Sequence, residues 1–435
     1  MSFIILPNQL FDKKHLDKTN KILLWEHPHF FKDYNFNKKK LILHRASMKS
    51  YYDYLKKNKF DVTYYEFSSK TPLSKTQNYK MFDPINKLGT LKLYSYKNIE
   101  ILDSPNFLLN SELYTAYRKK TDKFFFNGFY MWSKKQLDIL PNVKSQDKEN
   151  RKTMPKTVKI PPVPSNKKDA PYIQEATTYV NKHFPKNYGN VDNFIYPVSH
   201  SVAKKWLDNF IKNKFKLFGD YQDYIKEGES YMFHSLLSSS INIGLLNPID
   251  VIETITKYKS QIPMNSYEGF IRQLFWREYQ RFTYIYYDFT KTNYFGNKGK
   301  LNKKWYEGTL GIPPVDDAIK SGFDTGYLHH ILRLMVVGNY MNLSGLSPME
   351  GFKWFMEFSC DSYEWVMCQN VLDMVFFVSG GKTMRRPYIS SSNYIIKMSD
   401  YKKGEWSEEW DKKYQAFTKK NRPKLLKYRY YFRNL

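Results

Sequence analysis

The 435-residue sequence predicts an α/β N-terminal domain built on a parallel sheet, followed by a larger all-helical domain. Two patterns support this division. Over roughly the first 130 residues, short apolar runs alternate with helical stretches, as in parallel sheets whose strands are joined by helices. Beyond Pro171, apolar residues instead recur at the spacing of amphipathic helices. We therefore place the two domains at residues 1–141 and 171–435.

Short apolar or alternating runs mark the strands of the N-terminal domain. We predict strands at residues 2–6, 21–25, 61–67, 91–94 and 100–102. The apolar run at 40–43 leads into a helix from about residue 46 to residue 57. In a sheet of this kind, a ligand is expected beyond the carboxyl ends of the strands.

Residues 142–170 are rich in Lys, Pro and Ser and contain MPKTVKIPPVPSNKKDAP, so we predict a linker that buries no core. After it, helical periodicity predicts helices at 199–213, 233–246, 247–260, 266–287 and 326–343. Asn-Pro at 247–248 and Ser-Pro at 347–348 indicate helix N-caps followed by proline at the first helical position.

The charge balance favours a polyanionic partner. The chain has 69 Lys and Arg against 42 Asp and Glu, a formal net charge of +27. Nucleic acid is the first expectation, ahead of an acidic membrane surface, although part of this charge is an ordinary solvated surface. The N-terminus MSFIILPNQLFDKK lacks the pattern of a signal peptide, and no uncharged apolar run reaches the ~20 residues that span a bilayer. We expect a soluble intracellular monomer, in cytoplasm or nucleus.

Only two cysteines occur, Cys360 and Cys368, and we predict both within one helix. No CxxC pair and no dense group of Cys and His is present, so the sequence predicts no metal site and no iron-sulfur cluster. A disulfide framework is equally unexpected, which fits a reducing compartment.

The stretch from His329 to Asn370 carries the most chemistry. It sets two adjacent histidines, an arginine, tryptophans and an aspartate among apolar residues at helical spacing. Burying such polar groups without partners is costly, so the sequence predicts a functional interior. Proton donors, a charge pair and oxidisable rings together suit a redox cofactor.

Several segments in order resemble the photolyase/cryptochrome superfamily. These are HRASMK (44–49), FHSLLSSSINIGLLNP (233–248), EGFIRQLFWREYQR (268–281), TGYLHHILRLMVVGN (325–339), EWVMCQNVLDM (364–374) and RRPYISSSNYIIKMSDY (385–401). The resemblance spans nearly the whole chain and is closest to the prokaryotic photolyase-related group, which includes (6-4) photolyases with an iron-sulfur cluster. It implies a Rossmann-like antenna domain, a helical FAD-binding domain and UV-damaged DNA as partner.

The resemblance implies FAD as cofactor and a set of residues that bind it. This set comprises His234, Ser235, Leu237, Ser238, Asn242, Glu268, Arg277, Arg333, Asp361 and Asn370. The serine segment corresponds to the flavin pyrophosphate, where hydroxyls and free backbone N–H groups receive phosphate. Arg333 and Asp361 look like the family's salt bridge beside the isoalloxazine ring, with Asn370 near that ring. The alternatives are helix capping by serine and a structural salt bridge between helices.

The catalytic residues that the resemblance implies surround a lesion pocket. His330 matches the residue that protonates or polarises the lesion, and His329 is its neighbour, since adjacent helical residues point about 100° apart. Trp276 and Tyr388 resemble residues that contact the flipped-out lesion. The alternative for each is a core residue.

A family electron-transfer pair falls on Trp354 and Tyr306. Phe355 stands where the family has a tyrosine, and phenylalanine does not relay an electron. Tyrosine relays one if its proton has an acceptor. Photoreduction is therefore expected to be slower, or to use another route such as Trp305 or Trp365.

Two departures concern other cofactors. Lys402, Lys403, Gly404 and Glu405 replace the family's CxxC and Pro314 replaces another cysteine, so no cluster is expected; Trp406 and Trp410 are candidates for the replacement packing. In LPNQL (6–10), Asn8 replaces an acidic residue of relatives that bind 6,7-dimethyl-8-ribityllumazine. Gln9, Glu26 and His44 remain candidate contacts for that antenna or another one.

The function that the resemblance implies is light-driven repair of (6-4) photoproducts by electron transfer from reduced FAD. Cyclobutane dimers are the alternative substrate. The alternative functions are a photosensory cryptochrome and a nonenzymatic nucleic-acid-binding protein.

Overall fold

The N-terminal part is a five-stranded parallel sheet. The computed structural model describes residues 1–86, 91–93, 96 and 98–432. The strands are β1 (Ser2–Ile5), β2 (Lys21–Trp25), β3 (Val62–Tyr65), β4 (Tyr79–Phe82) and β5 (Ile99–Leu102). They lie in the order β3-β2-β1-β4-β5, and every pairing is parallel. This confirms the predicted fold class, and β1 at the centre is buried along its whole length.

The sheet departs from the predicted strands in two places. Strand β4 was not predicted, because its four residues YKMF lie between polar segments and only pairing with β1 and β5 identifies them as a strand. The predicted strand at 91–94 is wrong for residues 91–93, which form a turn, and Tyr94 lies outside the described residues. The helix predicted from about residue 46 already begins at Lys38, where the Asn37 side chain accepts from the backbone N–H of Lys39 at 2.9 Å.

Helices make up most of the remaining chain. They are α1 (His29–Lys32), α2 (Lys38–Lys57), α3 (Ser111–Lys120), α4 (Phe126–Gln136), α5 (Ala170–His183), α6 (His200–Asn213), α7 (Phe215–Tyr221), α8 (Ser238–Asn242), α9 (Pro248–Thr256), α10 (Met264–Tyr286), α11 (Lys304–Glu307), α12 (Pro313–Thr325), α13 (Asn339–Leu343), α14 (Pro348–Phe358), α15 (Glu364–Met367), α16 (Asn393–Met398), α17 (Glu405–Lys420) and α18 (Arg422–Leu425). Leu332–Gly338 and Cys368–Val375 are π-helices that contact each other. Such π segments occur frequently at functional sites.

Periodicity predicts the long helices well and the segment 233–246 poorly. Helices α6 and α10 agree with their predictions within two residues. Between 233 and 246 only α8 is helical, because Leu236 adopts a φ of 57° that interrupts a right-handed helix. At the two proline signals, Asn247 caps α9 by accepting from the Ile249 N–H, whereas the Ser347 side chain makes no capping bond.

The two cysteines do not share a helix, which corrects the prediction. Helix α14 ends at Phe358, and Ser359 is extended with φ −106° and ψ 137°. Cys360 therefore lies in the loop before α15, and Cys368 begins the second π-helix. Both are buried thiols without a disulfide.

The N-terminal sheet and the helical part are joined through α5. This helix begins where the predicted linker ends, yet it packs along α2. Arg45 of α2 contacts three carboxylates: Glu26 at 3.0 Å, Glu66 at 2.9 Å and Glu175 of α5 at 2.6 Å. Its guanidinium also lies 3.8 Å from the ring centroid of Tyr179. The domain boundaries at 141 and 171 stay a prediction, while α5, after the predicted linker, packs against α2 of the N-terminal part.

The C-terminal helices pack through tryptophan. Trp410 of α17 is fully buried, donates to the Ser390 carbonyl at 3.0 Å and contacts the Tyr340 ring at 5.0 Å between centroids. Trp406 lies beside Trp410, with ring centroids 6.5 Å apart, and its Nε1 donates to the Lys402 carbonyl at 2.9 Å. Within the described residues, no helix combines the length and the apolar character needed to cross a bilayer.

Removing the Arg45 charge will destabilise the fold strongly. Glu26 is wholly buried, and Arg45→Met leaves its carboxylate without its cation. We expect the free energy of unfolding to fall by about 3–5 kcal/mol, the usual cost of breaking a buried ion pair from one side. Urea unfolding measures this. Lys14→Met, which removes an exposed pair with Asp250, is the control and should cost less than about 1 kcal/mol. Equal losses in the two variants would contradict the assignment.

Candidate functional site

A buried ion pair lies at the centre of the helical part. Arg333 Nη1 lies 3.0 Å from Asp361 Oδ1, and Arg333 Nη2 lies 3.2 Å from Oδ2. The Nε atom of Arg333 donates to the Leu328 carbonyl at 2.5 Å. Ser359 donates a further hydrogen bond to Asp361. Burial acts to raise the pKa of Asp361, but the Arg333 charge and the hydroxyl donors lower it overall, so this carboxylate is ionised.

Three more of the predicted flavin residues join this pair in one network. Ser238 Oγ donates to Asp361 Oδ2 at 2.7 Å, and Asn242 Nδ2 donates to the Asp361 carbonyl at 3.0 Å. Arg277 Nε in turn donates to Asn242 Oδ1 at 3.1 Å. Helices α8 and α10, the first π-helix and the loop before α15 therefore meet at Asp361.

The Arg277 guanidinium is set among aromatic rings. It lies 4.3 Å from the Phe107 centroid and 5.0 Å from that of Trp365, and Nη1 donates to the Asn106 carbonyl at 2.6 Å. Burial lowers the pKa of Arg277 to about 10, although Glu278 opposes this. The arginine therefore remains a cation at neutral pH and can bind an anionic group.

Buried polar atoms without a hydrogen-bond partner surround this network. Within the described residues, the unpaired donors include Ser239 Oγ, Ser240 Oγ and Arg277 Nη2. An unpaired buried donor costs about 1–3 kcal/mol, so several of them together indicate a ligand rich in acceptors. Hydroxyl and guanidinium donors beside a charge pair fit the phosphates and ring edge of FAD.

The remaining predicted flavin residues are distributed differently. Asn370 Oδ1 accepts a hydrogen bond from Gln280 Nε2 at 2.8 Å. Gln280 lies on α10, one helical turn beyond Arg277. Leu237 is buried, and its N–H lies 3.4 Å from the Ser235 hydroxyl. These residues adjoin the network along the chain.

Glu268 contacts other elements. Its carboxylate accepts from the Tyr130 hydroxyl at 2.8 Å and the Gln146 N–H at 3.0 Å, and it faces Arg272 at 3.5 Å. All three are outside the Arg333–Asp361 network. The structure therefore places Glu268 where it ties α10 to α4 and the predicted linker.

Three histidines form a cluster. His234 stacks on His329 with ring centroids 4.8 Å apart and planes at 12°. His330 meets His234 at 5.8 Å and His329 at 6.1 Å, edge to face in both cases. His234 was predicted with the flavin segment, and its ring in fact contacts the histidine pair.

The three rings have different environments. His234 and His329 are buried, and burial holds the pKa of each well below its ordinary value, helped by the neighbouring positive charges. His330 is exposed, with Nε2 3.0 Å from Asp223 Oδ1. Two neutral imidazoles thus lie behind one solvent-facing imidazole that a carboxylate orients.

Trp276 and Tyr388 are half-buried. The Trp276 ring is stacked on Phe126 of α4 at 3.8 Å and 8°, so one of its faces is covered. Tyr388 lies under the Arg386 guanidinium at 5.2 Å. A basic and aromatic surface of this kind suits stacking against bases.

The predicted electron-transfer residues lie in one aromatic group. Trp354 is fully buried and contacts Phe355, Phe358 and Phe323. Tyr306 is half-buried and contacts Phe323 from the other side at 5.8 Å.

The candidate antenna contacts are all occupied by protein groups. Gln9 bonds the Phe82 carbonyl and the Leu6 N–H, and Asn8 donates to the Pro84 carbonyl. The Glu26 carboxylate accepts from Arg45, Tyr64, Tyr179 and the Phe67 N–H. His44 lies 3.2 Å from the Phe30 carbonyl and 2.9 Å from the Tyr363 hydroxyl. An antenna chromophore stays a prediction, and these side chains already serve the packing of the sheet.

Some site residues were not predicted. Asp223, Ser359 and Gln280 complete the contacts of His330, Asp361 and Asn370. Asp223 is 107 residues from His330 in sequence, so no spacing in the chain reveals the pair. Ser359 lies two residues before Asp361, and this proximity in sequence is the signal that could have identified it.

Comparisons with known proteins identify the family of the chain. Residues 3–196 match the family model of the deoxyribodipyrimidine photo-lyase-related protein, and residues 270–425 match that of the FAD binding domain of DNA photolyase. The chain belongs to the photolyase/cryptochrome superfamily. A (6-4) photolyase of Agrobacterium fabrum is 36% identical over 233 residues, which are 52% of this chain and 46% of that protein. This chain thus spans about half the length of that (6-4) photolyase.

Two solved structures share the fold of this chain. A class III photolyase from Agrobacterium tumefaciens aligns with a TM-score of 0.57 at 14% identity, covering 96% of this chain and 98% of that one. A cryptochrome from Synechocystis sp. PCC6803 aligns with a TM-score of 0.61 at 13% identity, covering 96% and 88%. At these identities the likeness concerns the fold alone.

The stability of the protein will fall on acidification because of its buried histidines. Folded-state pKa values of His234 and His329 lie below their unfolded value, so the unfolded chain gains protons first as the pH drops below about 6.5. Each such histidine contributes a slope of up to about 1.4 kcal/mol per pH unit below that pH. We expect the double variant His234→Gln/His329→Gln to reduce the slope of unfolding free energy between pH 6 and 5, measured by urea unfolding. The control His183→Gln, at an exposed site, should leave the slope unchanged, and an unchanged slope in the double variant would refute the assignment.

Metal removal tests the prediction that the protein has no metal site. Ligating nitrogens of His234, His329 and His330 lie within 4.8 Å of one another, close enough to raise the question. Because two of the rings stack in parallel, their nitrogens lie side by side and do not converge on a tetrahedral centre. We expect dialysis against EDTA to leave the unfolding midpoint unchanged and elemental analysis to find no stoichiometric metal. One bound equivalent that His330→Ala abolishes would contradict this.

Proposed function

We propose that the chain is a FAD-dependent photolyase that repairs (6-4) pyrimidine–pyrimidone photoproducts in DNA under blue light. One observation carries the proposal: the Arg333–Asp361 pair, bonded to Ser238 and Asn242, lies next to the histidine cluster along the chain. Arg333 comes three residues after His330, and Ser238 comes four residues after His234. A cofactor site and a proton donor are thus adjacent. The 36% identity to a protein named (6-4) photolyase supports this substrate over a cyclobutane dimer.

The residues that would hold FAD are those of the network. Ser239 and Ser240 offer unpaired hydroxyls to a phosphate, and Arg277 offers an unpaired Nη2, while Ser238 holds Asp361 in place. Arg333 places a cation where negative charge on a reduced ring needs stabilising, and Asp361 fixes the position of that cation. When bound and reduced, FAD supplies an electron to the lesion after excitation by light.

The histidine cluster supplies the proton chemistry. His330 faces solvent with Nε2 on Asp223, so Asp223 orients the ring and leaves Nδ1 for the lesion. His234 and His329 are neutral, which places apolar imidazole faces behind His330 and avoids a second buried charge. His330, the one ring of the three that faces solvent, is thus the residue to which the proposal assigns proton transfer.

DNA binding draws on the surface charge. The net charge of +27 neutralises phosphates and brings counterion release. Tyr388 beside Arg386, and the free face of Trp276, offer stacking surfaces for an extruded lesion.

Replacing His330 is the decisive test. In protein loaded with FAD and reduced, we expect His330→Ala to lower the yield of repaired (6-4) oligonucleotide per absorbed photon by about 10²–10⁴-fold, since a positioned acid contributes that much. The flavin absorption should be retained. Repair is measured by chromatography of illuminated oligonucleotides, with dark samples alongside.

The matched control is His183→Ala, which replaces a different exposed histidine, at the end of α5. It should repair like the unaltered protein. Flavin binding without repair of either lesion type would point to a photosensory cryptochrome, and repair of cyclobutane dimers alone would change the substrate. A protein that does not bind FAD after reconstitution would overturn the proposal altogether.

A further inference from the structure

We propose that Glu357 accepts the Tyr306 proton when Trp354 and Tyr306, the electron-transfer pair that the family resemblance implies, pass an electron inward. The inference rests on the proposed function, because light-excited oxidised FAD is the oxidant that draws an electron from Trp354. Tyr306 and Trp354 come from separate elements, α11 and α14, and Glu357 lies one turn beyond Trp354.

Trp354 has contacts on two sides: an inner side toward the Arg333–Asp361 pair and an outer side toward Tyr306. On the inner side its ring contacts Phe358 at 4.7 Å, and the Phe358 ring lies 5.4 Å from the Arg333 guanidinium. On the outer side Trp354 Nε1 donates to the Trp305 carbonyl at 2.7 Å. That carbonyl carbon is bonded to the nitrogen of Tyr306. A single hydrogen bond therefore completes a covalent path from the indole of Trp354 to Tyr306.

The chemistry of Trp354 requires an outer donor. Its indole N–H contacts a carbonyl, a base too weak to take the proton, so the oxidised ring remains a cation and a strong oxidant. Phe355 packs against the ring at 5.1 Å and has no proton to lose. Trp365 instead contacts Phe107 and lies 5.0 Å from the Arg277 cation, which disfavours a positive charge on its ring.

Glu357 is arranged as an acceptor. The Tyr306 hydroxyl donates to its Oε2 at 3.0 Å. Its Oε1 accepts from the Asn35 N–H at 3.4 Å and lies 3.4 Å from Lys353 Nζ. Every partner is a donor, so the carboxylate form fits this environment. Burial raises the pKa of Glu357, and Lys353 opposes this, which makes the buried carboxylate a better base than an exposed one.

The step balances in charge and atoms. One electron passes from the Tyr306 phenol to the oxidised Trp354 indole, which returns to its neutral form. The phenol O–H bond breaks, and its proton binds Glu357 Oε2, leaving a neutral tyrosyl radical and a protonated carboxyl. Reduction by a small thiol-class reductant supplies the electron that restores Tyr306, and Glu357 returns the proton.

The outer end of this route opens to solvent. The Tyr188 ring stacks on Tyr306 with centroids 4.6 Å apart and planes at 16°. Tyr188, Lys353 and Glu357 line a surface groove together with Tyr34 and Asn35. A small reductant thus reaches the ring system at Tyr188 without entering the flavin site.

Time-resolved spectroscopy of the full chain, loaded with oxidised FAD and given no reductant, tests the proposal. After a blue pulse we expect a tryptophan radical followed by a tyrosyl radical, identified by absorption and electron paramagnetic resonance, and slower in D2O. Trp354→Phe should remove both signals, and Tyr306→Phe the second. Glu357→Gln should lower the tyrosyl yield at least about 10-fold, because an amide accepts the hydrogen bond but not the proton. Glu357→Asp should restore part of it.

Glu350→Gln is the matched control, with the same change of charge on α14 and a contact to the Leu301 N–H instead of to Tyr306. Equal tyrosyl yields in Glu357→Gln and Glu350→Gln would overturn the role of Glu357. A tryptophan radical without any tyrosyl radical would overturn the whole inference while leaving the proposed function intact. Repair by chemically reduced protein bypasses this route and should be unaffected by Glu357→Gln. Failure to bind FAD would overturn both proposals.

Discussion

The helical part of the protein depends on the ion pair between Arg333 and Asp361. Two buried charges are costly to remove from water, and their mutual attraction alone repays that cost only with good geometry and further hydrogen bonds. Here the further bonds come from Ser238, Ser359 and the Leu328 carbonyl. Ser238 belongs to α8, Arg333 to the first π-helix, and Ser359 and Asp361 to the loop before α15. The requirement to satisfy two charges therefore brings distant segments to one point. The pair thus determines how these segments meet, and it is the place where we propose that FAD binds.

The histidine cluster shows how burial divides similar side chains into different roles. His234 and His329 share a stacked, solvent-free position in which a second positive charge is disfavoured. His330 follows directly in sequence but faces solvent and Asp223. His329 lies just before the helical turn that His330 begins, and the two neighbouring side chains have different surroundings, one buried and one exposed.

A similar division applies to charged groups in the electron route. Trp354 donates its N–H to a carbonyl, whereas Tyr306 donates its O–H to a carboxylate. In the proposed route, the oxidised state is therefore more stable at Tyr306, which can lose its proton, than at Trp354. Exchange of a family tryptophan for Tyr306 is accompanied in this chain by a buried base, Glu357. The N-terminal sheet offers a contrast, because Glu26 and His44 are saturated by Arg45, Tyr179 and Tyr363 and serve to join the sheet to the helices.

The sequence by itself determined the fold class, the long helices and the identity of the charge pair. Periodicity is local, so α6 and α10 follow from their own residues, and the ordered motifs identified the superfamily and Arg333 with Asp361. Tertiary structure alone decided the rest. Strand β4 exists because it pairs with β1, the segment 233–246 is helical only at α8, and Asp223 and Glu357 acquire their roles from His330 and Tyr306. The strand pairing and the two side-chain contacts join residues 50 or more positions apart, which hydrophobic spacing within one segment does not encode.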